Sequence, residues 1–138
     1  MTVTFRAHHI SLTVADIERS VAFYRFFGFV VSHSYVSENR ARLISHLRLG
    51  SLTLELFQFP LAKAEKPLSN RDVRPIGLRH FALEVDSIDD AHRQVAEMGF
   101  ECDTLAIGLS GLRYFFVCDP DGIWFEVVED TRRTQVGI

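Results

Sequence analysis

Residues 6–14 (RAHHISLTV) alternate apolar and polar side chains in a β-rich composition, which predicts a half-buried strand. Asp16 follows as a helix cap, and Ile17, Val21 and Tyr24 recur at helical spacing behind it. Gly28 supplies a left-handed stop. Three strands are expected next, near 29–36, 41–49 and 52–59, the last two joined by a tight turn at Gly50-Ser51. Further along, the same order of elements returns. Ser87 caps a helix with the stripe Ile88, Ala91, Val95 and Met98, and Gly99 stops it. Strands are expected near 101–105, 110–118 and 123–129, with Asp119-Pro120-Asp121-Gly122 as a turn before the last.

This return is a repeat of sequence as well as of pattern. A shift of 71 residues lays HISLTVADIERSVAFYRFFGF (9–29) on HFALEVDSIDDAHRQVAEMGF (80–100). Six of these 21 positions are identical: His9/His80, Leu12/Leu83, Val14/Val85, Ile17/Ile88, Gly28/Gly99 and Phe29/Phe100. Composition alone gives roughly one or two. The same shift carries Glu55 onto Glu126. Between the copies, PLAKAEKPLSNRDVRP (60–75) holds three of the four prolines and no helical or strand period, so it reads as a linker. The expected architecture is α+β: two tandem β-α-β-β-β modules, about 6–59 and 78–129, forming curved sheets within one domain spanning 1–138.

Composition narrows the function classes. A chain of 138 residues with 47% hydrophobic residues, twelve of them Phe, suffices for one aromatic-rich core. A net charge of −3 gives no footprint for nucleic acid or for an anionic membrane surface. No apolar run reaches membrane-span length, and the start MTVTFRAHH lacks a signal-peptide core. Cys102 and Cys118 have neither disulfide-framework nor metal-finger spacing and read as small buried side chains. A reducing cytoplasm is the expected compartment.

Strand alternation then sorts faces. His9, Glu55, His80 and Glu126 each stand opposite an aliphatic row: Ile10, Leu12 and Val14; Leu52, Leu54 and Leu56; Phe81, Leu83 and Val85; Phe125 and Val127. The aliphatic rows suit packing against a helix, which leaves the four polar residues on the concave side. A lone His or Glu on a strand is usually solvated. Here the His–Glu spacing is 46 in both copies of a detectable repeat. Carboxylates in a concave aromatic site cost several kcal/mol unpaired, and a divalent cation offsets that cost. With a two-residue turn at Gly50-Ser51, His46 falls opposite Glu55, as a partner of that carboxylate or a proton relay. His8 is expected to face away from His9, and His33 and His92 to be structural or solvated. Arg48, Arg79 and Arg113 are candidates to meet an acidic substrate, against the commoner reading of surface charge. Trp124, Phe57 and Tyr114 are candidate pocket walls, against core packing.

The paired modules and the motifs HHISLTVADIERSVAFY, LTLELF, LRHFALEV and DPDGIWFEVVE resemble the vicinal oxygen chelate superfamily, from about Arg6 to Glu129. That group includes glyoxalase I, methylmalonyl-CoA epimerase, extradiol dioxygenases, fosfomycin-resistance proteins and bleomycin-binding proteins. The resemblance implies that His9, Glu55, His80 and Glu126 ligate one octahedral divalent ion, a set similar to that of bacterial glyoxalase I. Ni²⁺, Co²⁺, Zn²⁺, Mn²⁺ and Fe²⁺ all suit such donors. Two open positions would admit an oxygenated small molecule, and the ion would polarise a carbonyl and stabilise the enediolate left by α-proton removal. Glu126 is implied as the base, with Glu55 second. The implied function is a glyoxalase-type lyase or isomerase. An Fe²⁺ extradiol-type dioxygenase, for which Glu55 is discordant, and a non-catalytic antibiotic-binding protein, which would lack the ligands, are the alternatives. Short members often form homodimers with sites shared between chains. One departure stands out. Glyoxalase I typically holds glutathione with an arginine four residues after the first ligand and an asparagine four after the second, where this chain has Thr13 and Phe59.

Overall fold

The computed structural model describes residues 2–60 and 70–132, which fall into two compact units divided between residues 65 and 66. Most of the expected linker, residues 61–69, lies outside the described residues.

The first unit runs β1 (Ile10–Thr13), α1 (Ile17–Phe26), β2 (Val30–Val36), β3 (Leu43–Leu49) and β4 (Leu52–Gln58). Its sheet has the order β1-β4-β3-β2, with β1 parallel to β4 and the other pairs antiparallel. The second unit runs β5 (Ala82–Glu84), α2 (Ile88–Glu97), β6 (Ala106–Ile107), β7 (Arg113–Cys118) and β8 (Trp124–Glu129), in the matching order β5-β8-β7-β6. The chain is therefore α+β, a tandem pair of β-α-β-β-β modules. The repeat is kept to the residue in the helices: both ends of α2 lie 71 positions beyond those of α1 (17 to 88, 26 to 97).

The helix starts follow from their caps. Asp16 accepts hydrogen bonds from the amides of Glu18 and Arg19, and Ser87 from that of Asp90. Gly28 closes α1 at φ 100°, a conformation open to glycine, with Phe29 N–H reaching back to the Tyr24 carbonyl. In the first unit the apolar row of the sheet, Leu47 on β3 with Leu54 and Leu56 on β4, is fully buried, as is Tyr24 of α1. Phe115, Val117, Phe125 and Val127 play this part in the second unit, with Ile88 and Val95 of α2. Burial of such side chains contributes roughly 1.5–3 kcal/mol each. Two expected stripe positions differ. Ser20 and Phe23 are buried where Val21 is only half-buried, and Met98, just past α2, is 55% exposed.

The strand expected at 101–105 is not continuous. Cys102 makes one bridge to Val117, and regular pairing resumes only at Ala106–Ile107. The segment stays beside β7, with Asp103 N–H donating to the Phe116 carbonyl and Cys118 N–H to that of Glu101, while the Asp103 carbonyl is taken by His92 and its carboxylate by Arg71. The 119–122 turn forms as expected: Asp119 Oδ1 accepts from the amides of Asp121 and Ile123, and Gly122 takes φ 85°. Among the described residues no helix is long and apolar enough to cross a membrane.

Candidate metal centre

Glu55 stands at the centre of the first sheet's polar face. Register places it between Ser11 on β1 and His46 on β3. Ser11 Oγ donates to Glu55 Oε1 at 2.9 Å, His46 Nε2 lies 2.8 Å from Oε2, and His9 Nε2 lies 3.3 Å from Oε1. Burial pushes the Glu55 carboxyl up. Hydrogen bonds from His46 and Ser11, with His9 and His46 nearby, outweigh it and hold the carboxyl below its ordinary value.

His8 corrects an expectation. Regular β1 begins only at Ile10, so strand alternation does not govern residues 8 and 9. His8 Nδ1 instead lies 2.7 Å from His9 Nδ1, which leaves His9 Nε2 turned to Glu55. Sequence reading missed this orienting contact, and the adjacent His8-His9 pair was its only signal. His33 is also drawn in. A register shift in β2 between Val31 and His33 sets His33 opposite His46, with ring centroids 6.1 Å apart.

In the second unit His80 Nε2 lies 3.0 Å from Glu126 Oε2, and the His80 ring meets Phe116 edge to face at 4.9 Å. Among the described residues His80 Nδ1 is buried without a hydrogen-bond partner. A buried imidazole normally engages both nitrogens, so Nδ1 is an exception, and the nitrogen that faces Glu126 is the other one, Nε2. His92 is structural: Nε2 bonds the Asp103 carbonyl at 2.8 Å, and the ring meets Phe115.

The donor set fits a divalent ion. An imidazole nitrogen and a carboxylate oxygen, each about 2.1 Å from one ion and at right angles, stand about 3.0 Å apart. The two His–Glu pairs, at 3.3 and 3.0 Å, have that spacing in each unit. Among the described residues no group of three or more His, Cys, Asp or Glu side chains has metal-holding geometry.

The candidate arginines sort differently. Arg113 makes two bonds to Asp89, at 2.9 and 2.8 Å, and Arg79 bonds the carbonyls of Leu78 and Asp72. Both have local partners for their charge or donors. Arg48 is exposed, opposite Thr53. A cavity of about 900 Å³ in the second unit is lined by Arg71, Arg74, Asp103, Tyr114 and Phe116 among others. Its cations are already paired, Arg71 with Asp103 and Arg74 with Asp72, and Arg71 also covers the buried Trp124 ring at 4.2 Å. The cavity therefore presents aromatic surface rather than free charge.

Residues 6–127 match the family described as the Glyoxalase/Bleomycin resistance protein/Dioxygenase superfamily. The chain belongs to this superfamily. Among its relatives are the uncharacterized protein YwkD of Bacillus subtilis, 38% identical over 127 residues (88% of this chain, 94% of YwkD), and the uncharacterized protein YaeR of Escherichia coli, 33% identical over 129 residues (90% and 95%). Of solved structures, SMU.1112c is similar at TM-score 0.76 and 26% identity, covering 91% of this chain and 98% of that one. The trypanothione-dependent glyoxalase I of Leishmania major gives TM-score 0.74 at 21% identity (97% and 93% covered). TnmS3, an antibiotic-binding protein from Streptomyces sp. CB03234, gives 0.71 at 19% (95% and 100%). At the last two identities the likeness is one of fold. The same glyoxalase-superfamily fold thus serves both an enzyme and a binding protein.

Proposed function

We propose that this chain is a divalent-metal-dependent lyase or isomerase of the glyoxalase type, in which His9, Glu55, His80 and Glu126 together hold one ion. The observation that carries this reading is the duplicated pair: His9–Glu55 at 3.3 Å and His80–Glu126 at 3.0 Å, built from positions 71 apart. Ni²⁺, Co²⁺, Zn²⁺, Mn²⁺ or Fe²⁺ would serve, and when bound the ion supplies Lewis acidity that offsets negative charge developing on a substrate oxygen.

The reaction proposed is proton transfer next to a carbonyl on a small oxygenated substrate. Glu126 takes the α-proton and returns it at the neighbouring atom, with Glu55 the second candidate. Among the described residues Glu126 has one side-chain partner, His80, whereas Glu55 has three, so Glu126 leaves its resting position at smaller cost. Phe116, beside His80, and Tyr114 turn aromatic surface toward the cavity, which favours an apolar portion of the substrate. We place the active form in a homodimer whose two sites each draw one module from each chain, as in the short members that the sequence resembles.

Metal analysis of protein purified without added metal, alongside His9→Ala, Glu55→Ala, His80→Ala and Glu126→Ala, tests the reading. Each variant should lose more than about tenfold in metal retention, since each removes a direct ligand. Unchanged metal content in three of the four overturns the assignment. A second reading, a non-catalytic binding protein, is favoured by the fold shared with TnmS3 and by the aromatic cavity. Metal-free protein that binds an apolar antibiotic would establish it instead.

A further inference from the structure

The two modules support their carboxylates differently. Glu55 and Glu126 occupy equivalent positions on β4 and β8, each flanked in its sheet by a parallel and an antiparallel neighbour. For Glu55 these are Ser11 and His46; for Glu126 they are Ala82 and Phe116. Both flanking residues of Glu55 bond it, one on each oxygen, at 2.9 and 2.8 Å. Neither flanking residue of Glu126 has a side-chain polar atom with which to do so.

From this asymmetry we infer that Ser11 and His46 are positioning residues which fix Glu55 as the immobile carboxylate of the ion's ligand set. The inference rests on the metal reading above. A carboxylate accepts only, so His46 Nε2 must carry the proton it shares with Glu55, which sets the His46 tautomer. The rings of His33 and Tyr35 stand at 6.1 and 5.8 Å from the His46 ring, both at 70° to it, and constrain its plane. Held on both oxygens, Glu55 cannot rotate without breaking two bonds, and its direction toward an ion is preset. Partners of this kind raise metal affinity by orienting the ligand. The second module, with Ala82 and Phe116 in their places, leaves its carboxylate the freedom that a proton carrier requires.

Titration with Co²⁺ alone tests this, read by visible absorption and by competition with a chelator. The variants are His46→Phe and Ser11→Ala, which copy the second module's residues, and His46→Gln, which keeps a donor. Ser11 is exposed, so Ser11→Ala reports even if His46→Phe disturbs folding. His46→Phe and Ser11→Ala should each weaken Co²⁺ binding about 10- to 100-fold and alter its absorption bands, with His46→Gln recovering most of the loss. Affinity and spectrum within twofold of the unaltered protein in both His46→Phe and Ser11→Ala overturn the inference while the metal reading stands. So does a His46→Phe loss that His46→Gln fails to recover. An unaltered protein that takes up no Co²⁺ overturns the metal reading, and the inference with it.

Discussion

Gln58 Oε1 accepts the backbone N–H of Ile17 at 2.8 Å, tying the end of the first module's last strand to the first residue of its helix. The bond is duplicated: Glu129 Oε1 accepts from Ile88 N–H at 3.3 Å, with both residues 71 positions on. Asp16 serves the amides of Glu18 and Arg19 but not that of Ile17, so Gln58 completes the first turn. We expect Gln58→Met and Glu129→Met, which keep volume and remove the acceptor, each to cost about 1–2 kcal/mol. Urea unfolding measures this. Midpoints equal to those of the unaltered protein would show that water replaces the bond.

Cys102 and Cys118, expected to be buried, are only half-buried, and their thiols give a pH prediction. Burial, then the negative charges of Glu101 and Asp119, pushes the Cys118 thiol up from its ordinary 9.0 to about 11, and burial raises Cys102 as well. In the unfolded chain the thiol ionises first. Its contribution to stability is therefore full below pH 9.0 and is lost as pH rises through about 11. Maleimide labelling of the native protein at pH 7.5 should be much slower than after denaturation. Equal rates would mean that the thiols are not shielded.

Shared sites in a homodimer predict complementation. A His9→Ala chain and a His80→Ala chain should each be inactive alone. Mixed, they form a heterodimer in which one site combines both losses and the other has all four ligands. Recovered activity, approaching half that of the unaltered dimer per heterodimer, is the expected result. A site built within one chain gives none.

Substrate choice should depart from that of glyoxalase I. Thr13 and Phe59 stand where that enzyme's arginine and asparagine hold glutathione. Phe59 is 41% exposed and stacks on Phe57 at 6.1 Å, and it offers no amide. Lost charged and amide contacts are worth roughly 1.5–3 kcal/mol each. With methylglyoxal and glutathione, after loading with Ni²⁺, Co²⁺ or Zn²⁺ separately, kcat/KM should fall below about 10⁴ M⁻¹s⁻¹. A higher value would make this an ordinary glyoxalase I.

The features legible in the sequence were those fixed by periodicity and by short-range turn chemistry. Helix ends followed from Asp16, Ser87 and the two glycines. The Leu49–Leu52 pairing expected across Gly50-Ser51 is the one observed, and with it His46 opposite Glu55. What escaped depended on breaks in regularity. The His8–His9 contact arises where the strand has not yet begun, and His33 reaches His46 only through a register shift. Arg113 was a candidate for substrate because its partner, Asp89, lies 24 residues away on a helix start, a pairing that no local pattern encodes.

That same register shift in β2 has a bearing on solubility. β2 is an outer strand, exposed at all seven residues, and it carries Val30, Val31, Tyr35 and Val36. A straight edge of this composition is a template on which another chain's strand can dock. The irregularity at Ser32 spoils the even spacing of donors and acceptors along that edge, so an incoming strand can match only part of it. The register shift that brings His33 to His46 thereby also leaves this edge a poorer template for a second strand.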